Sequence, residues 1–328
     1  MYCCSCKFAN YNFLLKMSCQ SAPLILRLLA SSVTTARRAG SIIKDVMEKG
    51  ELGIIHKGLS KNDVQTEADR SAQVCIITSL ARQFPNVTII GEEGPLDESE
   101  VPSDWVVTES DQTILQSKCP EKYVNVKPED IVVWVDPLDG TSEYTEGLLD
   151  HVTVLIGIAV GGKAVGGVIY QPYYEYKKVK NGPGRTFWGL VGLGVGGFEP
   201  VKPPSSKFVI TTSRSHRDGM VNDSLKALNP DDIISVGGAG HKVIVVLEGR
   251  AHAYVYASRG CKKWDTCAPE AVLEAAGGRL TDIHGKHYDY SKNTSFPDDQ
   301  GIFATADGVD HDALIAKLPQ ELRDAFPY

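Results

Sequence analysis

Ile131-Val132-Val133-Trp134-Val135-Asp136-Pro137-Leu138-Asp139-Gly140-Thr141 is the stretch on which the reading of this chain turns. Its first five residues are β-branched or aromatic with no polar interruption, the composition of a buried strand. That strand discharges into two carboxylates. Pro137 fixes the backbone between them, Gly140 permits a sharp turn, and Gly140-Thr141 would offer backbone N–H groups at the start of a following helix. Taken alone, the segment is either an Asx-type turn with locally bonded acids or a site for a cation and a phosphate.

The surroundings supply further acids in comparable places. Upstream, the apolar run Val87 to Ile90 predicts a strand that ends in Gly91-Glu92-Glu93. Before it, Ala68, Ala72, Cys75, Ile76 and Leu80 give a helical face from about Thr66 to Phe84, stopped by Pro85, with Asp63 just ahead. A long helix is expected from Ala22 to Lys49 on the spacing of Ile25, Leu29, Val33, Ala36, Gly40, Ile43 and Met47. Downstream, Val152 to Val160 and Ala164 to Tyr170 form a hairpin across Gly161-Gly162. A segment rich in Gly, Pro and aromatic residues then leads to a linker at Lys202-Pro203-Pro204. Beyond it strands and helices alternate, and Asp265 opens the helix Trp264 to Ala276. The expectation is an α+β domain over residues 17–204 followed by an α/β domain over 205–328. Residues 1–16, which precede Met17, are set aside as a disordered extension. Gly192-Leu193-Gly194-Val195-Gly196-Gly197 fits G-x-G-x-x-G, but the proline-rich stretch behind it is no helix, so a glycine-rich strand or turn is expected.

Bulk properties agree with two packed domains, since 328 residues exceed the size at which one core stops growing. With 34 basic against 41 acidic residues, a net charge of -7 and no long Lys/Arg run, nucleic-acid polymers are not expected partners. The longest apolar run, Val152 to Val160, falls well short of the roughly 18 residues a membrane span needs. Phe13-Leu14-Leu15 is too short a core for a secretory signal, so a cytoplasmic protein is expected. Eight scattered cysteines suit reduced thiols, and the C-C-x-C spacing of Cys3, Cys4 and Cys6 lacks the second ligand pair of a zinc site.

Asp63 and Asp265 could each be no more than a helix cap, and Glu92 and Glu93 solvated loop charges. Considered together, Gly91-Glu92-Glu93, Trp134 to Thr141 and Trp264-Asp265-Thr266-Cys267-Ala268-Pro269-Glu270-Ala271 resemble the signature of the lithium-sensitive, magnesium-dependent inositol monophosphatase superfamily. Tyr144-Thr145-Glu146-Gly147-Leu148-Leu149-Asp150 and Gly260-Cys261-Lys262-Lys263 resemble its nucleotide-bisphosphatase branch. The resemblance runs from about Met17 nearly to the C-terminus. It implies a layered α/β/α/β/α sugar-phosphatase-like fold with two sheets and the active site between the domains.

It also implies site residues. Glu92, Asp136, Asp139 and Asp265 would give carboxylates to two or more Mg²⁺ ions, with Leu138 adding its backbone carbonyl; such hard oxygen donors suit Mg²⁺. Asp63 would polarise Thr141, which holds the attacking water. Ser213, His216, Gly238 and Lys242 would contact a small nucleotide bisphosphate, losing its 3′-phosphate to leave AMP, with inositol 1,4-bisphosphate as a side substrate. Two positions depart from the pattern: Ser213 stands for Thr, and His241 for Asn. The same resemblance leaves room for an inositol polyphosphate 1-phosphatase or a non-catalytic sensor of nucleotide or metal. A monomer is expected.

Overall fold

The computed structural model describes residues 21–57, 64–95, 101–179, 182–215 and 218–326; the expected extension at 1–16 lies outside them. Helix α1 (Leu24–Lys49) buries Ile25, Leu29, Val33, Ala36, Gly40 and Ile43 on one face, as steps of three and four require. Gly50, at φ 74°, stops it in the left-handed conformation that a side chain resists. A short antiparallel pair, β1 (Ile55–His56) and β2 (Val64–Gln65), precedes α2 (Glu67–Gln83). At the start of α2, Thr66 and Asp69 form a reciprocal capping box that satisfies the first-turn N–H groups.

A six-stranded sheet follows in chain order: β3 (Thr88–Gly91), β4 (Ile131–Asp139), β5 (Thr153–Val160), β6 (Lys163–Gln171), β7 (Arg185–Leu190) and β8 (Gly194–Gly196). Only β3 and β4 run parallel; the remaining neighbours are antiparallel. Helix α3 (Gln112–Leu115) lies between β3 and β4, and α4 (Thr141–Thr145) between β4 and β5. Every residue of β4 is buried. Val132 and Trp134 enter one core while Ile131, Val133 and Val135 enter the other, so a strand covered on both faces shows no polar alternation.

The second sheet has the order β10 (Asp232–Val236), β9 (Val209–Ser213), β11 (Ala253–Tyr256), β15 (Ile302–Thr305), β13 (Arg279–Thr281). Its helices are α5 (Gly219–Leu228), α6 (Ala239–Leu247), α7 (Lys263–Ala275), α8 (His311–Ile315) and α9 (Gln320–Asp324); β12 (Cys261–Lys262) and β14 (Pro297–Asp298) form a separate small pair. Strands β10, β9 and β11 are parallel, as alternating strands and helices demand, but β15 runs antiparallel to both β11 and β13. The alternation therefore governs only part of the sheet.

Helices α1 and α2 cover the outer face of the first sheet, α6 and α7 lie between the sheets, and α5 and α8 back the second. The result is the α/β/α/β/α layering. Helix α7 rests on bare backbone, because Gly157, Gly167 and Gly189 sit opposite one another on β5, β6 and β7. A Cβ on Gly157 or Gly167 would come within 2.6 Å of the Ala268 backbone, and one on Gly189 within 3.0 Å of Val272 Cα. Among the described residues, no helix is long and apolar enough to cross a membrane.

Candidate active site

Strand β4 continues through both acids rather than stopping at Val135. Asp136 lies opposite Leu155 and Asp139 opposite Thr153, so β4 spends one more residue than β5 over this interval. The extra residue falls at Pro137-Leu138, where proline has no N–H for the ladder, and the bulge re-aims the carboxylates. Asp136 takes the Leu138 N–H on Oδ1 at 3.0 Å. Asp139 receives the Ala239 N–H on Oδ1 at 2.7 Å, and the Gly240 N–H at 2.8 Å and Thr153 hydroxyl at 2.6 Å on Oδ2. It thereby caps α6 from the opposite sheet, with three of about four acceptor positions used.

Asp63 lies outside the described residues, as does His216. Among the described residues, the Thr141 hydroxyl donates to Asp69 Oδ1 at 2.9 Å, with the Leu138 carbonyl at 3.1 Å as an alternative acceptor. Oδ2 of Asp69 is held by the Thr66 N–H at 2.7 Å and the Thr66 hydroxyl at 2.5 Å. Burial pushes the Asp69 carboxyl up to about 7, against the hydrogen bonds from Thr66 and with the repulsion of Glu93. The signal for it was present in Thr66-Glu67-Ala68-Asp69, a capping box whose acid also reaches into the site.

Glu92 continues the parallel ladder beyond β3, its N–H donating to the Val135 carbonyl at 3.1 Å. Its side chain meets Lys57 Nζ at 2.9 Å, and the same ammonium lies 2.7 Å from Glu93. Asp265, in the first turn of α7, accepts the Lys262 N–H at 2.7 Å. Burial first, then repulsion from Glu92, Asp139, Asp265 and Asp69, drives the Asp136 carboxyl well above its ordinary range. Asp265 is raised to about 8 by burial, Glu92 and Asp139. Glu92 is raised by burial, against Lys57; Asp139 by burial, against Lys242 and its hydrogen bonds. Four buried or half-buried carboxylates that resist joint ionisation are a donor set for hard cations, which would supply the missing positive charge. The residues fit Mg²⁺.

Glu92, Asp139, Thr141 and Asp265 line one cleft of about 250 Å³ together with Ser213, Gly238 and Lys242 from the second half of the chain. Gly238, at φ 71°, is irreplaceable by shape: a Cβ would stand 2.7 Å from the His151 carbonyl and 2.9 Å from Asp139. Lys242 is buried, donates to the Gly238 carbonyl at 2.7 Å and lies 5.3 Å from the Tyr254 ring centroid. Burial lowers its pKa, opposed chiefly by Asp139. Sequence reasoning missed Tyr254, Tyr256 and Arg259, which also line the cleft. It missed His151 too, whose Nδ1 accepts the Gly237 N–H at 3.1 Å and so steadies the turn before Gly238. His241 packs against His151 with ring centroids 4.9 Å apart.

Fold and site together define a phosphatase of layered α/β/α/β/α architecture. The chain belongs to the inositol monophosphatase family, whose profile matches residues 26–323. That family is generally magnesium-dependent. The chain is 50% identical over 310 residues to 3′(2′),5′-bisphosphate nucleotidase 1 of Homo sapiens, covering 93% of this chain and 98% of the relative. To the protein of the same name from Dictyostelium discoideum it is 37% identical, over 81% and 88%. Among solved structures, the Thermotoga maritima IMPase matches with a TM-score of 0.64 at 20% identity, over 90% and 98% of the two chains. The 2′AMP-bound SaIMPase-II matches with a TM-score of 0.62 at 19% identity, over 89% and 94%. These last two are likenesses of fold.

Proposed function

We propose that this chain hydrolyses the 3′-phosphate (or 2′-phosphate) of 3′(2′)-phosphoadenosine 5′-phosphate to give AMP and phosphate, with inositol 1,4-bisphosphate as a side substrate. The observation that carries the reading is the single cleft in which Thr141, bonded to Asp69, meets Glu92, Asp139 and Asp265 on one side and Ser213 and Lys242 on the other. The 50% identical human nucleotidase supports the choice of a nucleotide substrate.

Glu92, Asp136, Asp139, Asp265 and the Leu138 carbonyl would hold two Mg²⁺ ions. When bound, the ions neutralise the phosphate and the charge that develops on the leaving oxygen. The remaining work falls to the chain. Thr141 donates its proton to Asp69 and keeps a lone pair for a water, which fixes that water for in-line attack and needs no phosphorylated residue. As the water loses a proton, the path through Thr141 ends on Asp69, whose proton affinity burial raises. We add Asp69 to this path beside Asp63, which lies outside the described residues. Asp139, tied to Ala239 and Gly240, keeps the two halves of the cleft in register. Lys242 supplies a buried cation for the substrate, while Ser213 and the Gly237-Gly238 turn present small groups to a flat base. Sensitivity to Li⁺ follows from a small monocation taking a Mg²⁺ position without its full charge.

Phosphate release should be measured with 3′-phosphoadenosine 5′-phosphate, inositol 1,4-bisphosphate and inositol monophosphate, with and without Mg²⁺. Mg²⁺-dependent turnover is expected to be greatest with the nucleotide. Equal or greater turnover of inositol monophosphate would overturn the assignment.

A further inference from the structure

Helix α7 carries acids on two fronts. Asp265 in its first turn faces the cleft, whereas Glu270 and Glu274, four residues apart, share a face farther along. The segment after β13 returns across that face and sets His287 on it. His287 Nδ1 lies 2.9 Å from Glu270 Oε1 and 3.3 Å from Glu274 Oε1. One ligand atom from each of the three residues falls within 4.8 Å of the others. The second oxygen of Glu270 is occupied by the Tyr290 hydroxyl at 2.6 Å, which fixes the carboxylate with Oε1 turned to the imidazole. That is the arrangement by which an outer hydrogen bond orients a metal ligand.

Exposure grades across the trio: the side chains of Glu270, Glu274 and His287 are 3%, 21% and 48% exposed. The site is thus closed at the back and open at the front, with an entry path. Burial pushes the Glu270 carboxyl up to about 7, and burial also raises Glu274; the hydrogen bond to Glu270 raises His287. The hydrogen bond between His287 Nδ1 and Glu270 Oε1 places a proton in the space where a cation would satisfy all three side chains. The donor set differs from that of the cleft. One imidazole with two carboxylates suits a divalent transition metal, whereas Mg²⁺ favours oxygen donors alone.

We propose that Glu270, Glu274 and His287 bind one divalent transition-metal ion of the Mn²⁺ or Zn²⁺ class, at a site separate from the catalytic cleft. The ion displaces the shared proton and fastens the returning segment to α7. That segment also receives the Trp134 indole N–H on the Tyr290 carbonyl at 3.1 Å, so the fastening reaches β4.

The probe is Mn²⁺, which unlike Zn²⁺ has little affinity for the chain's thiols. Bound Mn²⁺ is counted by electron paramagnetic resonance on metal-stripped protein, for the unaltered chain and for Glu274→Gln and His287→Ala, both partly exposed positions. Each variant is expected to bind one Mn²⁺ fewer, or that ion at least tenfold more weakly, with Mg²⁺-dependent phosphate release within about twofold of the parent. In Asp136→Asn, pulsed resonance should still detect an imidazole nitrogen on bound Mn²⁺, and adding His287→Ala should abolish that coupling. Unchanged stoichiometry and affinity in both single variants, or no nitrogen coupling in Asp136→Asn, would overturn the proposal.

Discussion

Replacing Asp69 with Asn should remove most of the activity while sparing the fold. The amide oxygen can stay on the Thr66 N–H, now at 2.7 Å, which places the NH₂ group toward Thr141. The Thr141 hydroxyl, its oxygen 2.9 Å from Asp69 Oδ1 in the parent, must then turn its proton to the Leu138 carbonyl at 3.1 Å. The water keeps a neighbour but loses its proton acceptor. Removing a general base costs about 10²- to 10⁴-fold, or about 3–5 kcal/mol of transition-state stabilisation. The assay is steady-state release of phosphate from the nucleotide bisphosphate at saturating Mg²⁺, with thermal melts to confirm folding. The pH profile gives a second reading. Catalysis needs ionised Asp69, which exists above its pKa, so parental kcat should rise with pH through the Asp69 titration, and the residual rate of Asp69→Asn should lack that rise. A kcat for Asp69→Asn above about a tenth of the parent's would refute the assignment.

Three further outcomes are expected. Asp69 and Asp265 have folded-state pKa values raised to about 7 and 8, so their contribution to stability is complete below the unfolded carboxylate range near 4 and is lost as pH climbs through 7 to 8. The melting temperature of chelator-treated protein should therefore fall between pH 6 and 9, and Mg²⁺ should restore it; a flat or rising curve would contradict the repulsion argument. Asp136→Asn should abolish Mg²⁺-dependent turnover yet melt higher than the parent in chelator at pH 8, since a buried carboxyl that the fold keeps from ionising is replaced by a neutral amide. Retained turnover would remove Asp136 from the metal site. Gly238→Ala places a methyl 2.7 Å from the His151 carbonyl at φ 71°, costing about 1–3 kcal/mol in denaturant unfolding and at least tenfold in kcat through Asp139. Parental stability would mean that the turn relaxes freely.

What could be read from the sequence was whatever a local pattern specifies. The apolar run Ile131 to Val135 marks a buried strand because packing on both faces leaves no polar position. Glu92, Asp139, Thr141 and Asp265 each sit beside a strand end or helix start, so local rules placed them and the fold joined them in one cleft. The bulge at Pro137-Leu138 was not legible, since it is defined by the register of β5, a strand still to come in the chain. Asp69 was hidden for another reason. Its bonds to Thr66 are local and wholly account for it as a cap, whereas the bond to Thr141 spans 72 residues. The antiparallel entry of β15 was likewise a long-range choice, invisible in the alternation of helices and strands.

The three aligned glycines beneath α7 make the first sheet a hard stop for that helix. Only the short Cys267 and Ala275 side chains join the backbone there, so the strands gauge the depth of α7 at Ala268 and Val272, and through the helix that of Asp265. Alanine at Gly157 or Gly167 is an ordinary choice for stiffening a strand, yet here it would act as a shim and lift α7 by about 1 Å, a displacement that can cost about a hundredfold in rate. A search for heat-tolerant variants should therefore return chains that keep these glycines, because filling them costs both packing and rate.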